Sequence, residues 1–332
     1  MMLKRTAYLG YYLKKMKWSL LKEFLAYASK DTGKSKAFLM KESIQSVYQY
    51  NISILEYFQF GFYNKTKEEK NKWAGTGTMY EFQKIANPIK ERNILDDKRL
   101  FYIKYKEFFV HKMYTLEELK KRPELIDSLL VEENKVVLKE ASGKCGVGVK
   151  ICSTIDLTHQ RLIEMMEQEK FDILETYIKQ HSAIQELSPS AVNTIRIFTQ
   201  IRKNGDYEVL GCRMRISVNC EVDNLAAGNL AAPINEKTGK INGPGIYSNV
   251  TKASEVIHPI TKTPIVGFQI PYWEEILAMV KKASLKHSQN RSIGWDVVLT
   301  DQGPGLIEGN HDWCKLVWQL PINKGLKNRL DV

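Results

Sequence analysis

Apolar residues recur at helical spacing near the start of the chain, with Leu9, Leu13, Met16, Leu20 and Phe24 forming one stripe. Lys14, Lys15, Lys17 and Lys22 lie elsewhere around the same helix, so the pattern predicts a basic amphipathic helix. Its charged face is either solvated or rests on an anionic membrane. Residues 36–63 continue in a helical pattern rich in Tyr and Phe, which points to a core. Residues 1–95 therefore read as a helical lobe, with Gly75, Thr76, Gly77 and Thr78 as a loop inside it. From about residue 95 the texture changes to short β-branched runs separated by glycine turns and helices, as expected for an α+β body.

Three stretches of that body carry chemistry. Lys135–Lys139 and Val149–Cys152 read as strands around the glycine loop Ala141–Gly148. A Walker loop or a Rossmann turn would open a helix instead, so a flap between strands fits better. Gly143, Gly146 and Gly148 would let backbone N–H groups approach phosphate oxygens, with the charge of Lys139 beside them; a plain mobile turn is the competing reading. The second stretch is a hairpin turning at Asn204 and Gly205. It sets Ile195, Ile197 and Ile201 on one face with Arg196 on the other, and on the return strand Arg213 and Arg215 against Cys212, Met214 and Ile216. Those arginines suit an anionic ligand or a solvated surface.

The third stretch is Ser292–Asn310, in which Asp301–Gly305 separates two strand-like runs. A five-residue loop pairing Thr300 with Leu306 sets Asp296 opposite Asn310 and Val298 opposite Glu308, leaving Val297, Leu299 and Ile307 for the other face. Two carboxylates and a carboxamide converging on one face call for something positive among them. Oxygen-only donors suit magnesium bridging nucleotide phosphates.

The bulk composition narrows the setting. A chain of 332 residues with 43% hydrophobic and 26% charged residues is ordinary for a globular protein of two or three lobes, and neither a signal peptide nor a membrane span is evident. The expected location is the cytoplasm. Five cysteines without a CxxC pair argue against a disulfide framework and a zinc site. Of the net charge of +11, residues 1–30 supply +6, from seven Lys or Arg against Glu23. An anionic partner is expected there, with peripheral attachment at the inner membrane face as one form; nucleic acid is not expected.

The order of these pieces over residues 90–318 resembles the ATP-grasp superfamily, and in detail its sugar-transfer-associated branch, found with polysaccharide biosynthesis. Asp97-Lys98 is similar to the family's first nucleotide lysine, residues 136–149 to its second lysine (Lys139) and phosphate flap, and Leu174–Ile178 to the hinge that holds adenine. Asn193 and Arg196 fall in the branch's NTxR element, Val222–Ile234 resembles its DN-plus-glycine segment, and the Asp296 and Glu308–Asn310 runs its metal-binding strands. Departures are Asn229 where a second glycine is expected, and Lys144 and Cys145 at the flap tip.

The resemblance implies an ATP-grasp fold, two α+β subdomains gripping ATP (96–180 and 181–332), behind the N-terminal helical lobe. It implies ATP held by Lys98, Lys139, Gly143, Gly146, Gly148, Glu175, Tyr177, Ile178 and Asn193, with two magnesium ions on Asp296, Glu308 and Asn310. Arg196 and Lys139 would serve catalysis in an ADP-forming amide synthetase. A carboxylate substrate, such as a uronic acid or sugar nucleotide, would be joined through an acyl-phosphate to an amine such as an amino acid. A sugar kinase on the same fold and a non-catalytic basic membrane adaptor remain as alternatives. His258 and Trp295 either line the acceptor pocket or serve the core.

Overall fold

The computed structural model describes residues 2–143, 148–155 and 157–331. The basic segment is not one helix but two, Met2–Lys14 and Trp18–Thr32. A single straight helix would have pointed Leu13 inward; the break at 15–17 instead lets Tyr12 reach the same core cluster as Leu21, Phe24 and Ala28, and leaves Leu13 exposed. The second helix stops at Gly33, whose φ of 71° closes a bond from its N–H to the Ser29 carbonyl. Helices Lys36–Tyr50 and Ile54–Gln59 follow, the latter opened by a capping box of Ser53 and Glu56. The helical pattern over 36–63 is thus interrupted at Asn51, which takes a left-handed φ of 59°.

The expected loop at 75–78 is also corrected: Gly75 caps a helix, Thr76–Ala86. Its glycines are there for close approach, because a Cβ on Gly75 would fall 2.6 Å from the Ile52 Cα and one on Gly77 1.8 Å from Asn51 Oδ1. No helix among the described residues is long and apolar enough to cross a membrane.

The α+β part contains two antiparallel sheets. The smaller comprises β1 (Met113–Thr115), β2 (Lys135–Lys139), β3 (Val149–Ser153) and β4 (Ile173–Thr176), in the order β1-β4-β2-β3. Alternation along β2 sends Val136 and Leu138 into a core shared with helix His159–Gln168, and leaves Lys135, Val137 and Lys139 on the opposite face. The larger sheet comprises β5 (Ile195–Ile201), β6 (Tyr207–Ile216), β7 (Leu230–Ile234), β8 (Ser292–Thr300) and β9 (Gly303–Asn310), in the order β7-β6-β5-β8-β9. Ile195, Ile197, Cys212, Met214, Ile216 and Val297 fill one face under helix Trp273–Lys286, as the alternation predicts. Phe198, Trp313 and Trp318 form a second cluster with Phe82 of the preceding helical region.

Candidate active site

The turn joining β8 and β9 is tighter than the sequence suggests, pairing Thr300 with Gly303 rather than with Leu306. Gly303 accepts this with a φ of 124°. That register continues to Val297 opposite Leu306 and would leave Asp296 facing Ile307. A bulge at this point adds one residue to β9, and Asp296 then stands opposite Glu308 and Gly294 opposite Asn310. The expected partnerships of Asp296 with Asn310 and Val298 with Glu308 are therefore wrong, yet the bulge restores the shared face. Leu306 enters the core, while Ile307, expected there, lines the cleft beside Glu308.

One row across the larger sheet carries Arg213, Arg196, Asp296 and Glu308 on β6, β5, β8 and β9. Arg196 grips Asp296 with two parallel hydrogen bonds, Nε to Oδ1 and Nη2 to Oδ2, the latter at 2.8 Å. Arg215 adds a third to Asp296 Oδ2 at 3.0 Å, and its other nitrogen reaches Asp223 and Asn224. Burial alone would push Asp296 up, but the charges of Arg196 and Arg215 outweigh it and hold the carboxyl at about 2. Arg213 turns away and spends its guanidinium on the carbonyls of Trp318 and Cys212. The positive charge that the paired carboxylates call for is thus present, in part, as two guanidinium groups. Among the described residues Glu308 has no such ion pair: burial first, and then the charge of Asp296, raises it above the usual carboxylate range. Asn310 Nδ2 donates to its Oε1 at 3.1 Å.

The opposite wall comes from the smaller sheet. Lys139 on β2 and Glu175 on β4 form a buried ion pair, with His111 Nε2 3.4 Å from the same carboxylate. Burial would raise Glu175, but Lys139 and His111 hold it at about 2. Lys98 opens helix Lys98–Tyr105, and its Nζ donates to the carbonyls of Glu140 and Gly143 at the near end of the flap. Burial pushes its ammonium down, with the charge of Glu308 acting against that. Strands β2 and β3 pair on either side of the flap, Lys139 with Val149; Gly146, Lys144 and Cys145 lie outside the described residues.

Between these walls is a cavity of about 490 Å³, within the size range of small-molecule sites. Lys98, Lys139, Gly143, Gly148, Glu175, Tyr177 and Ile178 all line it, together with Asp296 and Glu308. Val137, Val149, Ile151 and Ile307 give it an apolar side. A second cavity of about 450 Å³ adjoins it and is lined by Arg196, Asn310, Leu225, His311 and Trp313. Lys98, Gly143, Arg215, Asn224 and Glu308 border both.

Asn193 lines neither cavity: its side chain donates to Gln180, Ser188 and Ala191 and accepts from the Ser217 N–H, which makes it a brace for the loop before β5. His258 and Trp295 serve the core, His258 through Nε2 to the Ser217 carbonyl at 2.9 Å and Trp295 through Nε1 to Thr199 Oγ1 at 2.9 Å. Asn229 stitches its loop by bonds with Val218, Val222 and Asn224. Sequence reasoning gave no role to Asp223 or His111. The first stands in the DN segment with nothing in its spacing to reveal Arg215, and the second is a lone histidine without a motif.

Among the described residues no group of three or more His, Cys, Asp or Glu side chains is arranged to hold a metal ion. The oxygen set here is two carboxylates and a carboxamide, which suits a hard cation. The placement of Glu308 directly opposite Asp296, with Asn310 beside it, is the observation that fits one, since an added divalent charge would relieve the repulsion between the two carboxylates.

Residues 78–332 match the model of the family described as sugar-transfer associated ATP-grasp, and the chain belongs to that family. Its α+β architecture with a helical N-terminal region is an ATP-grasp one. No curated protein matches the chain. Among solved structures it is similar to the ATP-grasp ligase PsnB complexed with a minimal precursor, at 11% identity over 77% of this chain and 65% of that one, with a TM-score of 0.44. It is similar also to D-alanyl-alanine synthetase A from Vibrio cholerae (13% identity, 70% and 65%, TM-score 0.38). A third is the biotin carboxylase domain of the Hydrogenobacter thermophilus 2-oxoglutarate carboxylase, solved with MgADP (16% identity, 70% and 46%, TM-score 0.40). In each case the chain spans less than two thirds of the matched structure's own chain.

Proposed function

We propose that the chain is an ATP- and magnesium-dependent carboxylate–amine ligase. The observation that carries this reading is the meeting of two cavities at Glu308, Lys98 and Arg215, one with the chemistry of a nucleotide site and one open for an acceptor. Lys139 and Lys98 would neutralise the phosphates, the glycines at 143 and 148 would offer close backbone approach, and the hinge at Glu175, Tyr177 and Ile178 would seat the base against Val137 and Ile151. Asp296, Glu308 and Asn310 would hold magnesium, which supplies charge neutralisation to the triphosphate when bound.

In this reading an acceptor carboxylate oxygen attacks the γ-phosphorus, the bond from that phosphorus to the β–γ bridging oxygen breaks, and ADP leaves. An amine nitrogen then attacks the acyl carbon, the carbon–oxygen bond to phosphate breaks, and the amine gives up a proton to form the amide. Arg215 at the junction and Arg196 on the second cavity would supply fixed positive charge beside the transferring group without rearrangement. No nucleophilic side chain is needed. The sugar-transfer association of the family supports a uronic acid as carboxylate and an amino acid as amine, in the building of a surface polysaccharide.

The test is ADP release across uronic acids paired with amino acids, with hydroxylamine added to trap an acyl-phosphate as a hydroxamate. Sustained turnover that requires both substrates, and a hydroxamate when hydroxylamine replaces the amine, is expected. A stable phosphorylated sugar formed without any amine would replace the ligase with a kinase.

A further inference from the structure

The helices Met2–Lys14 and Trp18–Thr32 bury one side in the lobe core through Tyr12, Leu21, Phe24 and Ala28. Their other side is unusual for a water-facing surface. Leu3 is 87% exposed, Met2 78%, Tyr11 57% and Trp18 54%. Residues 1–22 contain six Lys or Arg and no acid. Lys4 and Arg5 face Glu81, at 3.0 Å and 4.0 Å, and Glu23 is turned to Asn249 and Thr251. Lys14, Lys15 and Lys17 have no acidic partner among the described residues, and they surround the corner that carries Tyr11 and Trp18.

We propose that this surface docks on an anionic lipid bilayer, with Leu3, Tyr11 and Trp18 seated in the interface and Lys14, Lys15 and Lys17 on the headgroups. Exposed aromatic and aliphatic side chains are costly in water and favourable at the headgroup boundary, and the uncompensated lysines add attraction to anionic lipid. A surface serving only a soluble polyanion would need the lysines but would gain nothing from a half-exposed tryptophan and a leucine with almost no cover. The inference is independent of the chemistry assigned to the cleft.

Trp18 makes the test specific, because the other five tryptophans are at most 6% exposed. The full chain is mixed with phosphatidylcholine vesicles with and without phosphatidylserine, at low and high salt, and followed by co-sedimentation and tryptophan emission. Binding to the phosphatidylserine vesicles only, released by salt, with a blue shift and protection from acrylamide quenching, is the expected result. Lys14→Glu, Lys15→Glu and Lys17→Glu together should weaken partitioning by about 100-fold. Trp18→Ser should remove the spectral change and weaken partitioning several-fold, both variants keeping the melting temperature of the parent. No preference for phosphatidylserine would overturn the proposal. So would binding to heparin with the same change in Trp18 emission as vesicles give, which would make the surface a polyanion site.

Discussion

Arg196 and Asp296 stand directly opposite one another on neighbouring strands and are closed by two parallel hydrogen bonds, with Arg215 on the same carboxylate. Asp296 is therefore a structural anchor as well as a candidate metal ligand. Replacing it with Asn would leave the buried Arg196 guanidinium without its paired carboxylate and Arg215 with Asp223 alone, a change that costs about 3–5 kcal/mol. Asp296→Asn should lower the melting temperature of the nucleotide-free chain as well as its turnover. An unchanged melt would mean that the arginines find another partner, and that the anchor role is mistaken.

Glu308→Gln is the cleaner probe of metal binding. The folded chain already disfavours the charge of Glu308, and the Asn310 Nδ2 bond to Oε1 can survive on the amide. Stability should shift by less than about 1 kcal/mol, while ATP consumption should fall by at least about 100-fold. Magnesium-dependent protection by nucleotide in a thermal melt should disappear with it. Normal turnover would remove Glu308 from the metal site.

Much of this site was legible because strands alternate with a period of two: Val136 and Leu138 against Lys135 and Lys139, or Ile195 and Ile197 against Arg196, follow from that rule alone. What escaped was register. The Thr300–Gly303 turn and the bulge at Ile307 each move the pairing, and neither leaves a signature in Asp301–Gly305, where two glycines and a proline admit loops of several lengths. Asn193 was misplaced for a different reason. It belongs to a recognisable element, but that element's polar residues divide between cleft and scaffold, and only the hydrogen bonds to Gln180, Ser188 and Ser217 assign it to the scaffold. Gly75 and Gly77 read as punctuation and turned out to be points of contact, since a missing Cβ looks the same in sequence whether a turn or a neighbour requires it.

Glu175 should leave a mark on acid stability. Its carboxyl sits at about 2 in the folded chain against an ordinary 4.5, so it contributes stability that is fully present above 4.5 and is lost as the pH falls from there through 2. The ceiling on that contribution is roughly 3 kcal/mol. Urea melts of Glu175→Gln between about pH 5 and pH 3 should show a flatter acid limb than the parent. Parallel limbs would mean that Lys139 and His111 do not hold the charge as the geometry indicates. Lys139→Met should both weaken nucleotide binding and lower stability at neutral pH, because it leaves the buried Glu175 carboxylate without its closest counter-charge.

The helical lobe is tied to the sheet by a second buried pair, Lys315 and Glu56, at 2.9 Å. Glu56 accepts as well from the Ser53 N–H, the Thr76 N–H and the Thr76 hydroxyl, so one carboxylate fixes the starts of two helices and meets the chain just after Cys314 of the second cavity. Burial would raise Glu56, but the charge of Lys315 and the Thr76 bonds hold it low. Lys315→Met removes the paired charge that offsets this burial and should cost about 3–5 kcal/mol. The loss should be local in kind: amide hydrogen exchange over residues 53–79 should accelerate well before that of β5 and β8, because the lobe end of the contact loses its anchor while the sheet keeps its ladder. Exchange that rises equally in both regions would show that lobe and sheet unfold as one unit, and that this ion pair is not the joint between them.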